Sequence, residues 1–191
     1  MYISDGYLIL DKMYRKPKKI TGTKLPSLVG INSYTKPGDT LLDIFNIYKP
    51  TIDTYWLYRG DLAEAIVKER LISKGYSVKT WQKEDIKYDN FPTNPYFGGL
   101  IDIAIVSPER EVVEVKSKNI KRLEHIQSYG VPEEELQGEF YAALAKCDKY
   151  RLEWVFFDDL QEQELKEHQD HHEPATITGQ PFIFEKQCVC D

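Results

Sequence analysis

The stretch from residue 97 to 119, FGGLIDIAIVSPEREVVEVKSKN, constrains the fold of this chain more than any other. Two apolar runs flank Ser107-Pro108-Glu109-Arg110, residues that favour a turn, so the spacing predicts a β-hairpin. Strand side chains alternate between faces. Ile101, Ile103 and Ile105, continued by Val113 and Val115, make a core face. The opposite face carries Leu100, Asp102, Ala104 and Val106, then Val112, Glu114 and Lys116. A solvated face would be polar throughout. This one is half apolar, which predicts a covering element. Two carboxylates and a lysine then share a covered surface, a costly arrangement unless the charges are paired or bound to a metal.

The flanking pattern supplies the cover. RGDLAEAIVKERLISKG is rich in helix formers and stops at Gly75. YSVKTW alternates as a strand, and PEEELQGEFYAALAKC starts a second long helix at Pro132 with acids in its first turn. RLEWVFFDD reads as a short apolar strand, and the region after Asp159 as a helix, a His-rich loop and a final strand PFIFEK. Near the start, Thr23 is a candidate N-cap for a short helix ending by Gly30. A second short helix is expected after Gly38-Asp39-Thr40. Helix, strand, hairpin, helix, strand is the order of an α/β fold, a central mixed sheet flanked by helices.

The 191 residues, 41% of them hydrophobic, suffice for one domain with a sizeable core. No apolar run approaches the roughly 20 residues of a membrane span, and Asp5, Asp11 and Lys12 interrupt any leader-like stretch, so a cytoplasmic protein without a membrane partner is expected. Cys147, Cys188 and Cys190 do not suggest a disulfide framework. The net charge of −6 at first argues against a nucleic-acid partner. Its distribution changes that. Residues 158–191 hold nine acids and two lysines, which leaves 23 bases against 22 acids in residues 1–157. Lys12, Arg15, Lys16, Lys18, Lys19 and Lys24 form a basic cluster near the start. It is either a solvated loop or a phosphate-binding arm.

Asp102 and Glu114 point the same way from neighbouring strands, within roughly 5 to 8 Å of each other. Two carboxylates that close repel unless a cation lies between them. An oxygen-only site suits a hard divalent ion, Mg²⁺ or Mn²⁺. Lys116, on the same face, is placed to hold a nucleophilic water or to stabilise charge on a phosphate, the parts needed to hydrolyse a phosphodiester. The plainer reading is an exposed Glu114/Lys116 ion pair. Glu64 and Lys68, four apart, have a similar plain reading as a helix-surface pair, although Val67 and Leu71 put Glu64 at the edge of an apolar face.

GGLID followed by EVK, with a glutamate helix upstream, resembles the PD-(D/E)xK nuclease superfamily, with Ile101 where a proline often precedes the aspartate. ITGTKLPSLVGINSY, the Arg59, Gly60 and Glu64 helix, the hairpin, and Gln137 with Tyr141 together resemble the viral recombinase family that includes phage lambda exonuclease and the YqaJ-type proteins. The resemblance implies a restriction-endonuclease-like αβββαβ core and a metal-dependent deoxyribonuclease degrading duplex DNA from an end. It implies Asp102, Glu114 and the Val115 carbonyl as metal ligands, with Glu64 orienting a metal-bound water and Lys116 as the catalytic lysine. It gives Thr23 a role in holding a 5′-phosphate, with Arg15 or Lys16 as the nearest basic partner and Lys19 in the same basic segment. Arg59 and Tyr141 belong to its DNA-binding motifs, and Gln137 either contacts DNA or positions Lys116. A ring trimer and a single-strand annealing partner are further implications. So is one nuclease domain over 1–191, with a basic helical segment at 1–58, the core at 59–158 and an acidic extension at 159–191. An endonuclease or resolvase on the same core is the alternative, and a silent DNA-binding protein is another. Related four-cysteine nucleases hold an iron–sulfur cluster, but three cysteines, none before Cys147, argue against one here. His168, His171 and His172 with Cys188 and Cys190 lack a common zinc spacing, so no zinc site is expected.

Overall fold

A computed structural model describes residues 17–32, 34–47, 51, 53–80, 89–168 and 177–190, and the backbone of 2–4 and 7–9. Arg15, Lys16, His171 and His172 lie outside the described residues. The chain opens with an antiparallel pair, β1 (Tyr2–Ser4) and β2 (Tyr7–Ile9). Then follow β3 (Ile20–Thr21), α1 (Leu25–Leu28), α2 (Pro37–Ile44) and α3 (Thr54–Ser73). The α3 helix starts five residues before the predicted Arg59. Asp53 caps it by accepting from the Tyr55 amide at 2.9 Å, a contribution of about 1 kcal/mol. Gly75, at φ +88°, ends it as expected.

After α3 come β4 (Ser77–Thr80), β5 (Phe97–Gly98), β6 (Ile103–Ser107) and β7 (Glu111–Asn119). Next are α4 (Leu123–Tyr129), α5 (Pro132–Ala145), β8 (Lys149–Phe157), α6 (Asp159–His168) and β9 (Phe182–Val189). Five strands form the main sheet in the order β4-β6-β7-β8-β9. Only β7 and β8 run parallel, so the sheet is mixed as predicted. Sequence order α3, β4, β6, β7, α5, β8 gives the expected αβββαβ core.

Both faces of the sheet are covered. On one, Ile103, Ile105, Val113, Val115, Val155 and Phe157 pack against Ala63, Val67 and Leu71 of α3 and Leu165 of α6. On the other, Val112, Leu152, Trp154 and Phe156 pack against α5 through Tyr141 and Ala142 and against Ile126 of α4. The second helix is therefore the cover that the half-apolar hairpin face required. Ile101 departs from the predicted face. The β6 ladder begins only at Ile103, and the preceding bend turns Ile101 into the α5-side core. The β8 strand is long rather than short, nine residues with eight buried, as befits a central strand paired on both edges. The acidic C-terminal segment is built into the fold. Its β9 pairs with β8 along eight positions, and Leu165 is fully buried.

Candidate active site

The hairpin register places Asp102 across from Glu114. Ile103 pairs with Val113, so the next position outward on each strand brings the two carboxylates together on the α5 side. Asp102 Oδ2 accepts from the Val115 amide at 2.8 Å, which ties its side chain to the neighbouring strand. Glu114 is 1% exposed, and its Oε1 accepts from Lys116 Nζ and from Gln137 Nε2, each at 2.5 Å. Its other oxygen, Oε2, is buried with no hydrogen-bond partner. These residues line an open cleft of about 490 Å³ together with Thr21, Thr23, Leu57, Glu64, Gly99, Leu100, Val115 and Tyr141.

Electrostatics follow from this burial. Loss of water, reinforced by the nearby Asp102 charge, pushes the Glu114 carboxyl up to about 8. Burial also raises Asp102, partly offset by Lys116 and the Val115 amide. Burial works against the Lys116 ammonium, but Glu114 and Asp102 outweigh it and hold the proton more tightly than in water. Burial raises the Tyr141 hydroxyl as well, followed by Glu114 and Asp102. In the absence of a bound cation the cleft therefore holds a proton between its two carboxyl groups near neutral pH, beside the charged Lys116.

Two glycines shape the wall of the cleft. A Cβ at Gly22 would lie 2.7 Å from the Tyr141 ring and 2.9 Å from Gln137 Cγ. Gly99 has φ +129°, and a Cβ there would collide with the Tyr141 hydroxyl. Gly22 therefore allows α5 to approach the N-terminal segment, and Gly99 allows it to approach the Asp102 segment. On the far side of Gly98, Asp89 is ion-paired with Lys19 and accepts from the amides of Phe91 and Gly99. Asn90 Oδ1 accepts from the Ile101 amide at 2.6 Å, one residue before Asp102. Sequence reasoning missed Asp89 and Asn90. Their signal was only a polar DN pair in an irregular stretch.

The structure brings Glu64, Asp102, Glu114, Lys116, Gln137, Tyr141 and Thr23 to one cleft. Gln137 is bonded to Glu114 rather than to Lys116. Thr23 does not cap α1, whose N-cap is Lys24 without a side-chain bond, because the turn at Thr21 to Lys24 precedes it. Arg59 lies elsewhere. It is 7% exposed, donates to Ser117 and Glu162, and stacks over Trp56. Its guanidinium ties α3 to β7 and α6. Lys19 is likewise engaged, by Asp89 and the carbonyls of Phe91 and Pro92. Lys18 and Lys24 both pair with Asp43. The described part of the basic cluster therefore braces the fold.

Among the described residues no group of three or more His, Cys, Asp or Glu has metal-ligand spacing. Any ion here would rest on the Asp102–Glu114 pair, with Glu64 lining the same cleft. The donors are all hard oxygens, and one buried carboxylate oxygen lacks a partner. This fits a divalent cation of the Mg²⁺ type.

No family model matches the chain. Two curated relatives do. An uncharacterized protein, the MG373 homolog of Mycoplasma pneumoniae, is 29% identical over 122 residues, 61% of this chain and 41% of its own length. MG373 of Mycoplasma genitalium, also uncharacterized, is 24% identical over 52% of this chain and 35% of its own. The chain thus matches less than half the length of either relative. Among solved structures, a phage-related exonuclease from Haemophilus somnus superposes with a TM-score of 0.55 at 17% identity, covering 92% of this chain and 86% of the other. An alkaline exonuclease from Laribacter hongkongensis superposes at 0.57 and 17%, covering 91% and 78%. The chain has the fold of these exonucleases, and it is the fold the sequence resemblance implied.

Proposed function

We propose that this chain is a divalent-metal-dependent deoxyribonuclease that hydrolyses phosphodiester bonds of duplex DNA from an end. The observation that carries this reading is Glu114. A fully buried carboxyl group in hydrogen-bond contact with a second one and paired with a lysine, in an open cleft, is unfavourable for stability and useful for chemistry. Asp102, Glu114 and the Val115 carbonyl would hold Mg²⁺ or Mn²⁺, which when bound supplies Lewis acidity to the phosphate and lowers the pKa of water. Gln137 holds Glu114 in orientation from α5. Lys116, released from Glu114 when that carboxylate is engaged, meets the attacking water or the charge that builds on the phosphate oxygens. Glu64 faces the cleft from α3 and orients water on that side. Thr23 and Tyr141 form the wall against which a strand end would lie. The solved exonucleases of the same fold support this reading. A 5′ to 3′ direction, a ring trimer and an annealing partner in phage-type recombination belong to the same reading.

The test is cleavage of linear duplex carrying 5′-phosphate or 5′-hydroxyl ends, against closed circular DNA, with Mg²⁺ or Mn²⁺. Release of nucleotides from linear duplex alone, abolished by Asp102→Ala, is expected. Cutting of the closed circle would instead make it an endonuclease on the same core. No cleavage of either would refute the nuclease reading.

A further inference from the structure

The β7 strand carries a further lysine on the face of Glu114 and Lys116. Lys118 is two residues beyond Lys116, so it projects to the same side, about 6.6 Å further along the strand. That separation is comparable to the distance between successive phosphates on one nucleic-acid strand. Lys118 Nζ donates to Glu134 Oε1 at 2.5 Å. The other oxygen, Glu134 Oε2, accepts from Trp154 Nε1 at 2.6 Å. Trp154 is fully buried and Glu134 is 7% exposed. The indole therefore fixes the carboxylate from the core, and the carboxylate fixes the lysine. The Lys118 side chain stays 28% exposed.

A lysine ordinarily loses rotamer freedom when it binds an anion. Here the loss is taken in folding, before any ligand arrives. The segment KSKNIKR, residues 116–122, has four bases and no acid in a chain of net charge −6, and of these Lys121 is ion-paired with Asp159. It lies at the carboxyl end of β7, where ligands of open α/β sheets gather.

We propose that Lys118 is a second phosphate-binding residue, which takes the phosphodiester next to the scissile one on the same strand. This rests on the nuclease reading above. Lys116 serves the reacting group, and Lys118 sets the register of the strand beside it.

The experiment compares two substrates in Mn²⁺: duplex DNA and bis(p-nitrophenyl) phosphate, a single phosphodiester with no neighbour. Lys118→Ala and Lys118→Gln, the latter keeping a hydrogen bond to Glu134, should hydrolyse the small diester at the wild-type rate. Both should lose about tenfold or more on DNA at moderate salt. The slope of log affinity against log salt, measured with Ca²⁺ in place of Mn²⁺, should fall in magnitude by about 0.7 to 0.9, one phosphate contact. Lys118→Arg should restore both. Equal losses on the two substrates would mean a structural ion pair, and an unchanged salt slope would remove the contact; either overturns the inference alone. Wild-type protein that neither binds DNA nor cuts either substrate would overturn the nuclease reading and this inference together.

Discussion

Glu114→Gln tests the electrostatics of the cleft without changing its shape. In the metal-free protein burial and Asp102 raise the Glu114 carboxyl from an ordinary 4.5 to about 8. The native state therefore binds this proton more tightly than the unfolded chain does. The contribution of Glu114 to stability is greatest below the unfolded value, falls as pH rises from about 4.5 to about 8, and levels off above that. At 1.36 kcal/mol per unit, the full loss is on the order of 5 kcal/mol. Glutamine keeps an acceptor for Lys116 and removes the charge. Thermal or urea unfolding across pH 5 to 9 should show the variant gaining on wild type steadily through this window. Subtracting the two curves cancels the titrating groups that do not interact with Glu114 and leaves the Glu114–Asp102–Lys116 cluster. A divalent ion must displace the same proton, so the apparent Mn²⁺ affinity of wild type should rise about tenfold per pH unit over the window. Above pH 8 it should be flat, and the variant should not bind. A stability difference independent of pH, or one that shrinks as pH rises, would refute the reasoning.

Lys116→Ala should cut turnover roughly a hundredfold or more while Mn²⁺ affinity is unchanged or tighter, which calorimetry and single-turnover assays check on one preparation. Gly99→Ala should lower stability by about 2 to 4 kcal/mol, through positive φ and collision with Tyr141, and weaken metal binding as α5 withdraws; unfolding scans with and without Mn²⁺ read both. Removing residues 159–191 should abolish cooperative unfolding, because Leu165, the Glu162 partner of Arg59 and the whole of β9 leave with them. Calorimetry on the truncated chain decides it. Burial pushes Glu153 up to about 6, so Glu153→Gln should also gain on wild type as pH rises from about 4.5 to 6, by on the order of 2 kcal/mol; urea titrations at the two pH values measure it.

The approach of Asp102 to Glu114 was legible because the turn fixes the register of the hairpin and the ladder runs to Ile103, one residue from Asp102, although the bend there breaks the alternation at Ile101. The covering helix was legible because a half-apolar sheet face has to be buried. What α5 does there was not. Gln137 bonds Glu114, and Glu134 links Lys118 to Trp154, through the docking of a helix on a sheet, which no local pattern encodes. Arg59 had the same difficulty. As one base in a helix it matched a DNA-binding motif, yet its position beside the central strand β7 leaves it among Trp56, Ser117 and Glu162. The two-residue strands β3 and β5 have no periodicity to read, and their parallel pairing, Ile20 with Phe97 and Thr21 with Gly98, is what carries Thr21 and Thr23 to the cleft. The two glycines of GGLID made that approach visible only once Tyr141 and the Lys19–Asp89 pair were seen against them.

The central claim is that Asp102 and Glu114 form a metal centre. Crystals soaked in Mn²⁺ at pH 8, with diffraction recorded at the manganese edge, test it most directly. The account predicts an anomalous peak between the two carboxylates, within coordination distance of Glu114 Oε2 and the Val115 carbonyl, that disappears in Glu114→Gln. A map with no peak there, in crystals whose cleft is open to solvent, would contradict it.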